Sequence, residues 1–197
     1  MNDATAPGAS LWRVRLRAVG RWTERTLAVT GFLFLVYHAF FELSVISSDS
    51  MSPTLQGTSP DNGDWVISEK VTGRWREPDR WEVVHFYSSD GLSVMKRVIG
   101  LPGEKVGLRR NQIYIDDEPL ERPGKFKDLM YYSYGNLGAG RTVDCRDGYY
   151  VLGDDSRDSQ DSRYVGPVPG KELRGRAWLI IWPLHRAGWV NEGGGTR

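Results

Sequence analysis

The chain has 197 residues, 26 Lys and Arg against 25 Asp and Glu, and 40% hydrophobic residues. That length suits one ordinary domain plus a short appendage, and the apolar content excludes wholesale disorder. The net charge of +1 gives no reason to propose a nucleic-acid partner, and the single cysteine, Cys145, excludes an internal disulfide or a cysteine metal site.

Residues 1–10 are small and polar and are expected to be disordered. From Leu11 to Thr26 the charge is lopsided: Arg13, Arg15, Arg17, Arg21 and Arg25 face only Glu24. Residues 1–26 therefore read as a basic cytoplasmic segment. Residues 27–46 are mostly apolar and approach the ~20 residues that a spanning helix needs, so they are expected to be a transmembrane anchor. Arginines before such an anchor hold the N-terminus in the cytoplasm. His38 and Glu42 fall on one face of that helix, which places Glu42 at the outer interface rather than mid-bilayer. A cleaved signal peptide and a buried soluble helix are the rival readings. Ser44-Val45-Ile46-Ser47 fits a cleavage site poorly.

Beyond residue 47 the pattern becomes strand-like. Asp64–Ser68 and Glu82–Tyr87 are short apolar runs bounded by Gly, Pro and Asp. Ser93–Ile99 reads as a strand ending at the Gly100–Gly103 turn. Glu104–Leu108 and Gln112–Ile115 read as arms of a hairpin turning at Arg110-Asn111. Residues 119–147 show little periodicity and give no shape. Tyr149–Leu152 and Ala177–Trp182 are the last strands, and 191–197 a disordered tail. An all-β domain over 47–190 follows. Most of the eight tryptophans are expected in the core, although a Trp-rich surface would also suit the outer leaflet of a bilayer.

Three blocks carry chemistry. The first is Ser48-Asp49-Ser50-Met51-Ser52-Pro53-Thr54-Leu55, directly after the apolar run. A serine needs a base to act as a nucleophile, and none of the three histidines, His38, His85 and His185, stands in a recognisable Ser/His/Asp arrangement. The second is Lys96-Arg97-Val98-Ile99-Gly100-Leu101-Pro102-Gly103. Lys96 is flanked by Val94, Met95 and Val98, and a lysine desolvated among such residues loses its proton more readily. The third is Gly153-Asp154-Asp155-Ser156-Arg157-Asp158-Ser159-Gln160-Asp161-Ser162-Arg163. It lacks the glycine and glutamate of a calcium loop, and the scattered histidines suggest no metal site.

In this order, after an apolar segment, the blocks resemble the type I signal peptidases over roughly residues 27–183. The resemblance implies an antiparallel β-sheet signal-peptidase-like fold with an N-terminal transmembrane helix. It also implies a membrane-bound serine endopeptidase that removes signal peptides from exported preproteins after Ala-x-Ala sequences. The serine before Met51, Ser50, takes the place of the nucleophile and Lys96 that of the general base. Ser48 takes that of the oxyanion donor. Ser159 matches the position that orients the lysine. Asp161 matches the one that holds the site together through a nearby arginine or serine, with Arg163 the supporting arginine. Substrate would add as a strand beside 44–47 and 93–95, with Ile46, Val94 and Met95 lining small pockets. Asp155 departs from the family's asparagine and is expected to point away from Lys96, since facing it would raise that pKa. No cofactor or metal is implied. The partners would be preproteins and the lipid bilayer. The chain would be a monomer at the cell membrane, single-pass, its catalytic domain outside. A narrow-client processing peptidase and a catalytically impaired peptide-binding scaffold are the alternatives.

Overall fold

The structure is a computed structural model and describes residues 8–190. The expectations for residues 1–7 and 191–197 lie outside the described residues. Two compact units divide the chain, one ending at Phe40 and the other beginning at Phe41.

The first unit is one helix, α1 (Gly8–Phe40, 33 residues). It ends before the expected anchor does. Residues 41–45, Phe-Glu-Leu-Ser-Val, alternate with the period of a strand and form β1 (Phe41–Val45) instead. Only Leu27–Phe40 of the apolar run is helical, about 20 Å of axis against a hydrocarbon core of ~30 Å. Glu24 and Arg25 sit in the turn before it. No helix among the described residues is long and apolar enough to cross a membrane.

The second unit is antiparallel β. Its strands after β1 are β2 (Trp65–Glu69), β3 (Val83–Tyr87), β4 (Ser93–Gly100), β5 (Lys105–Arg109), β6 (Gln112–Ile115), β7 (Glu118–Pro119), β8 (Thr142–Asp144), β9 (Gly148–Leu152), β10 (Val168–Pro169), β11 (Leu173–Trp182) and β12 (Gly188–Trp189). An eight-stranded sheet runs β1-β2-β11-β3-β4-β9-β10, with β12 beside β11, and a four-stranded sheet runs β7-β6-β5-β8. The expected β5–β6 hairpin is present. Arg110 and Asn111 turn it with φ of 48° and 68°, the left-handed pair that matches strand twist.

The small sheet covers one core made by Ile99, Val106, Leu108, Ile113, Tyr150 and Leu152. The segment 119–147, which had no periodicity to read, supplies Phe126, Leu129, Tyr131 and Leu137 to that core. A second core joins Met51, Leu55, Val66, Val83, Met95 and Ile180. A third joins Val84, Phe86, Val98, Tyr149 and Val151.

The tryptophans depart from expectation. Trp81 is in the core, but Trp65, Trp75, Trp182 and Trp189 are exposed. Val45, Trp65 and Trp182 lie in register across β1, β2 and β11, and Leu43, Ile67, Leu179 and Trp189 form the next row. Phe41 stacks on Trp178, which packs on Trp189. Cross-strand pairing thus gathers aromatic side chains on one open face, a clustering that linear spacing conceals.

Candidate active site

Ser50 lies in a short 3-10 turn, Asp49–Met51, that follows β1. Met51, its last residue, and Leu55, four residues further on, are buried. These apolar side chains pin the turn while Ser50 stays at 8% exposure. Lys96 lies in β4 and is 3% exposed. Its Nζ is 2.6 Å from Ser50 Oγ. Ser48 Oγ lies 3.2 Å from Ser50 Oγ.

Burial lowers the Lys96 pKa from 10.5 to about 8, against the upward pull of Asp161, Asp154 and Asp158 and with a small downward push from Arg163. The carboxylates fail to win because two of them carry their own cations. Asp154 accepts from Arg97 Nε at 2.8 Å and Nη2 at 2.5 Å. Asp161 accepts from Arg163 Nε and Nη2, each at 2.8 Å. All four side chains are fully buried. A field already neutralised at close range leaves desolvation as the dominant influence on the lysine.

The third block wraps the Ser50 turn. Asp155 N donates to Ser50 O at 3.1 Å. Gly153 packs so closely that a Cβ there would stand 2.5 Å from Ser50 O and 2.2 Å from Ser159 Oγ. Gly153 N and Ser159 Oγ both donate to Asp161 Oδ2, at 2.9 and 2.7 Å. Asp161 also caps the short helix α2 (Ser162–Val165), accepting from Arg163 N. Arg163 reaches onward to Ser156 O at 2.9 Å and Tyr132 O at 3.1 Å. Here the 119–147 segment meets the site.

The structure brings Ser48, Ser50 and Lys96 together and seats Ser159, Asp161 and Arg163 beside them. Asp161 is held by both an arginine and a serine. Ser159 differs in detail: its hydroxyl donates to Asp161 rather than bonding Lys96 directly. Asp155 turns to Arg157, accepting from its N at 3.0 Å. Ile46 and Met95 belong to one apolar cluster, whereas Val94 packs with the third core, apart from them. Alternation along β4 separates neighbours in this way. Among the described residues no three His, Cys, Asp or Glu side chains converge as a metal set.

Three participants were not singled out in the sequence. Arg97 donates through Nη1 to Trp81 O at 2.7 Å and through Nη2 to Thr54 Oγ1 at 3.0 Å. Thr54 Oγ1 donates to Asp154 Oδ2 at 2.5 Å. Arg97, Asp154 and Thr54 thus tie the three blocks into one buried network. The signal that could have found them is Arg97 itself: an arginine inside a largely apolar strand needs a buried counter-charge.

A family model described as signal peptidase, peptidase S26, matches residues 19–182. A probable signal peptidase I-2 of Synechocystis is 35% identical over 187 residues, covering 87% of this chain and 78% of the relative. Signal peptidase I of Leptolyngbya laminosa is 31% identical, covering 83% of this chain and 80% of the relative. A crystal structure of a signal peptidase I from Enterococcus faecalis V583 aligns with a TM-score of 0.42 and 31% identity, over 51% of this chain and 97% of that one.

Proposed function

Because the chain belongs to the signal peptidase S26 family, we propose that it is a membrane-bound serine endopeptidase that removes signal peptides from exported preproteins after Ala-x-Ala, using a Ser50/Lys96 dyad. The observation that carries this reading is the 2.6 Å separation of Ser50 Oγ and Lys96 Nζ, both shielded from water. Neutral Lys96 takes the Ser50 proton as Oγ attacks the carbonyl carbon before the scissile bond. The charge developing on the carbonyl oxygen is met by the Ser48 hydroxyl and the Ser50 N–H. As the C–N bond breaks, Lys96 returns the proton to the leaving amine. A water then gives its proton to Lys96 and attacks the acyl-serine, releasing the signal peptide's carboxylate and restoring Ser50.

Ile46 and Met95 shape the pocket that selects small side chains. The substrate pairs in extended form beside 44–47 and 93–95. Attachment to the bilayer rests on the apolar half of α1; within the β unit, Trp65, Trp182 and Trp189 on the open face of β1, β2, β11 and β12 suit a headgroup region. In this reading the basic stretch before Leu27 stays cytoplasmic and the β unit lies outside, which requires the bilayer to thin around the short apolar part of α1. Protease protection in vesicles tests that orientation: digestion of the β unit from the cytoplasmic side would overturn it.

The deciding experiment is cleavage of a preprotein in detergent by wild type, Ser50→Ala and Lys96→Ala, with N-terminal sequencing of the product. Wild type should cut after Ala-x-Ala and both variants should not. Cutting by Lys96→Ala alone would mean another base serves the serine. Preprotein bound but uncut by wild type would favour a scaffold.

A further inference from the structure

A group of polar side chains outside the dyad occupies the other end of the strands assigned to the substrate. Glu42 of β1 and Tyr87 of β3 belong to strands separated in the sheet by β2 and β11, yet Tyr87 Oη donates to Glu42 Oε1 at 2.9 Å. The sheet therefore folds over, bringing β1 towards the β3–β4 hairpin. Behind this bond lies His85, 1% exposed, whose Nε2 is 2.9 Å from Ser93 Oγ and 4.0 Å from Glu42 Oε1. His85 Nδ1 has no hydrogen-bond partner. Buried N–H groups without an acceptor are rarer than buried acceptors without a donor. That assigns the proton to Nε2, donated to Ser93. Burial also lowers the His85 pKa, opposed by Glu42 and aided by Arg174 and Lys70, so the ring is neutral near pH 7.

Glu42 is half-buried and Tyr87 and Ser93 are exposed. Glu42 faces Lys70 Nζ at 3.8 Å, and the Arg174 guanidinium lies over the Tyr87 ring. With one cation beside the carboxylate and another over the phenol ring, a charged side chain arriving here meets both attraction and repulsion. A neutral amide or hydroxyl group meets acceptors and donors without that conflict, whereas an aliphatic group would desolvate them unpaired.

Position follows from strand geometry. Ser93 is three residues, about 10 Å, from Lys96 along β4, and Glu42 is four residues, about 13 Å, from Ile46 along β1. A peptide extended beside both strands, its reacting carbonyl at Ser50, presents its fourth or fifth residue before the cut at this level. We propose that Glu42, Tyr87 and Ser93, backed by His85, form a polar subsite that selects an uncharged hydrogen-bonding side chain four or five residues before the scissile bond. This rests on the peptidase reading above. It adds a second selection to the small-residue pocket.

The test uses the full chain in detergent and preproteins carrying Gln or Leu, singly, at the fourth and fifth residues before the cut. The readout is the Gln-to-Leu ratio of kcat/KM. Wild type should favour Gln about tenfold at one of these positions. Glu42→Gln and Tyr87→Phe should each bring the ratio to within about twofold of unity. Tyr87 is exposed, so its variant keeps the test open should Glu42→Gln fold poorly. A wild type that cuts both substrates equally, or variants that slow both alike and keep the ratio, would overturn the subsite while leaving the peptidase standing. A wild type that cuts no member of the panel would remove the peptidase reading and the subsite together.

Discussion

Arg97 and Asp154 hold each other in a two-pronged ion pair, both side chains wholly out of water, one residue along from Lys96. Thr54 bonds both partners. Removing one member strands the other charge in the interior. Asp154→Ala is therefore expected to destabilise the β unit by about 3–5 kcal/mol, read by urea denaturation. Little change in stability would mean that water or another carboxylate reaches Arg97.

The pH dependence follows from Lys96. In the proposed mechanism its amine must be neutral to accept the Ser50 proton, so kcat/KM should rise with pH through about 8 and level off above it. Asp161 pulls this pKa upward, so Asp161→Asn should move the rise to lower pH. The expected comparison is of the two profiles' midpoints on one preprotein. An upward move would mean that the lysine's field is organised differently.

The same shift carries a stability consequence. Between about 8 and 10.5 the unfolded chain keeps a proton on Lys96 that the folded chain has lost, so this residue's contribution to stability rises with pH across that window and is least favourable below it. Lys96→Met should consequently stabilise the protein at pH 7, by up to about 3 kcal/mol, while ending cleavage. Thermal unfolding of both proteins at pH 7 checks it.

Ser48 touches the nucleophile's oxygen, not the apolar cluster that contains Ile46 and Met95. Ser48→Ala should lower kcat about 10²-fold or more with KM little moved, the pattern of an interaction made in the transition state. A change confined to KM would assign Ser48 to binding instead.

Gly153 tests how closely the third block must approach. Its added Cβ in Gly153→Ala would press on the Ser50 carbonyl, which is backbone and has little room to yield. A loss of about 1–3 kcal/mol in stability and a fall in kcat larger than any change in KM are expected. Steady-state kinetics with urea unfolding separates the two effects.

Much of the β unit was legible because strands announce themselves locally. The left-handed pair at Arg110-Asn111 and the apolar runs at Val83–Tyr87 and Ser93–Gly100 needed no partner to be read. The boundary at Phe40 was harder: Phe41–Val45 alternates like a strand but continues an apolar run that reads as a helix, and pairing with Trp65–Glu69 decides for the strand. Residues 119–147 resisted reading for a related reason. Phe126, Leu129, Tyr131 and Leu137 are buried by a core assembled elsewhere, so their spacing obeys no local period.

By itself the sequence determined the candidate residues: a serine after an apolar run, a lysine among aliphatic neighbours, and an acidic block carrying its own arginines. It also determined the alternation that makes strands, since both depend on residue type and near neighbours. Only the tertiary structure decided the 2.6 Å meeting of Ser50 and Lys96, which carboxylate each arginine neutralises, and the exposure of most tryptophans. Those outcomes depend on long-range closure of the chain. Desolvation and charge pairing take their magnitude from what surrounds a group in space, not from what precedes it in sequence.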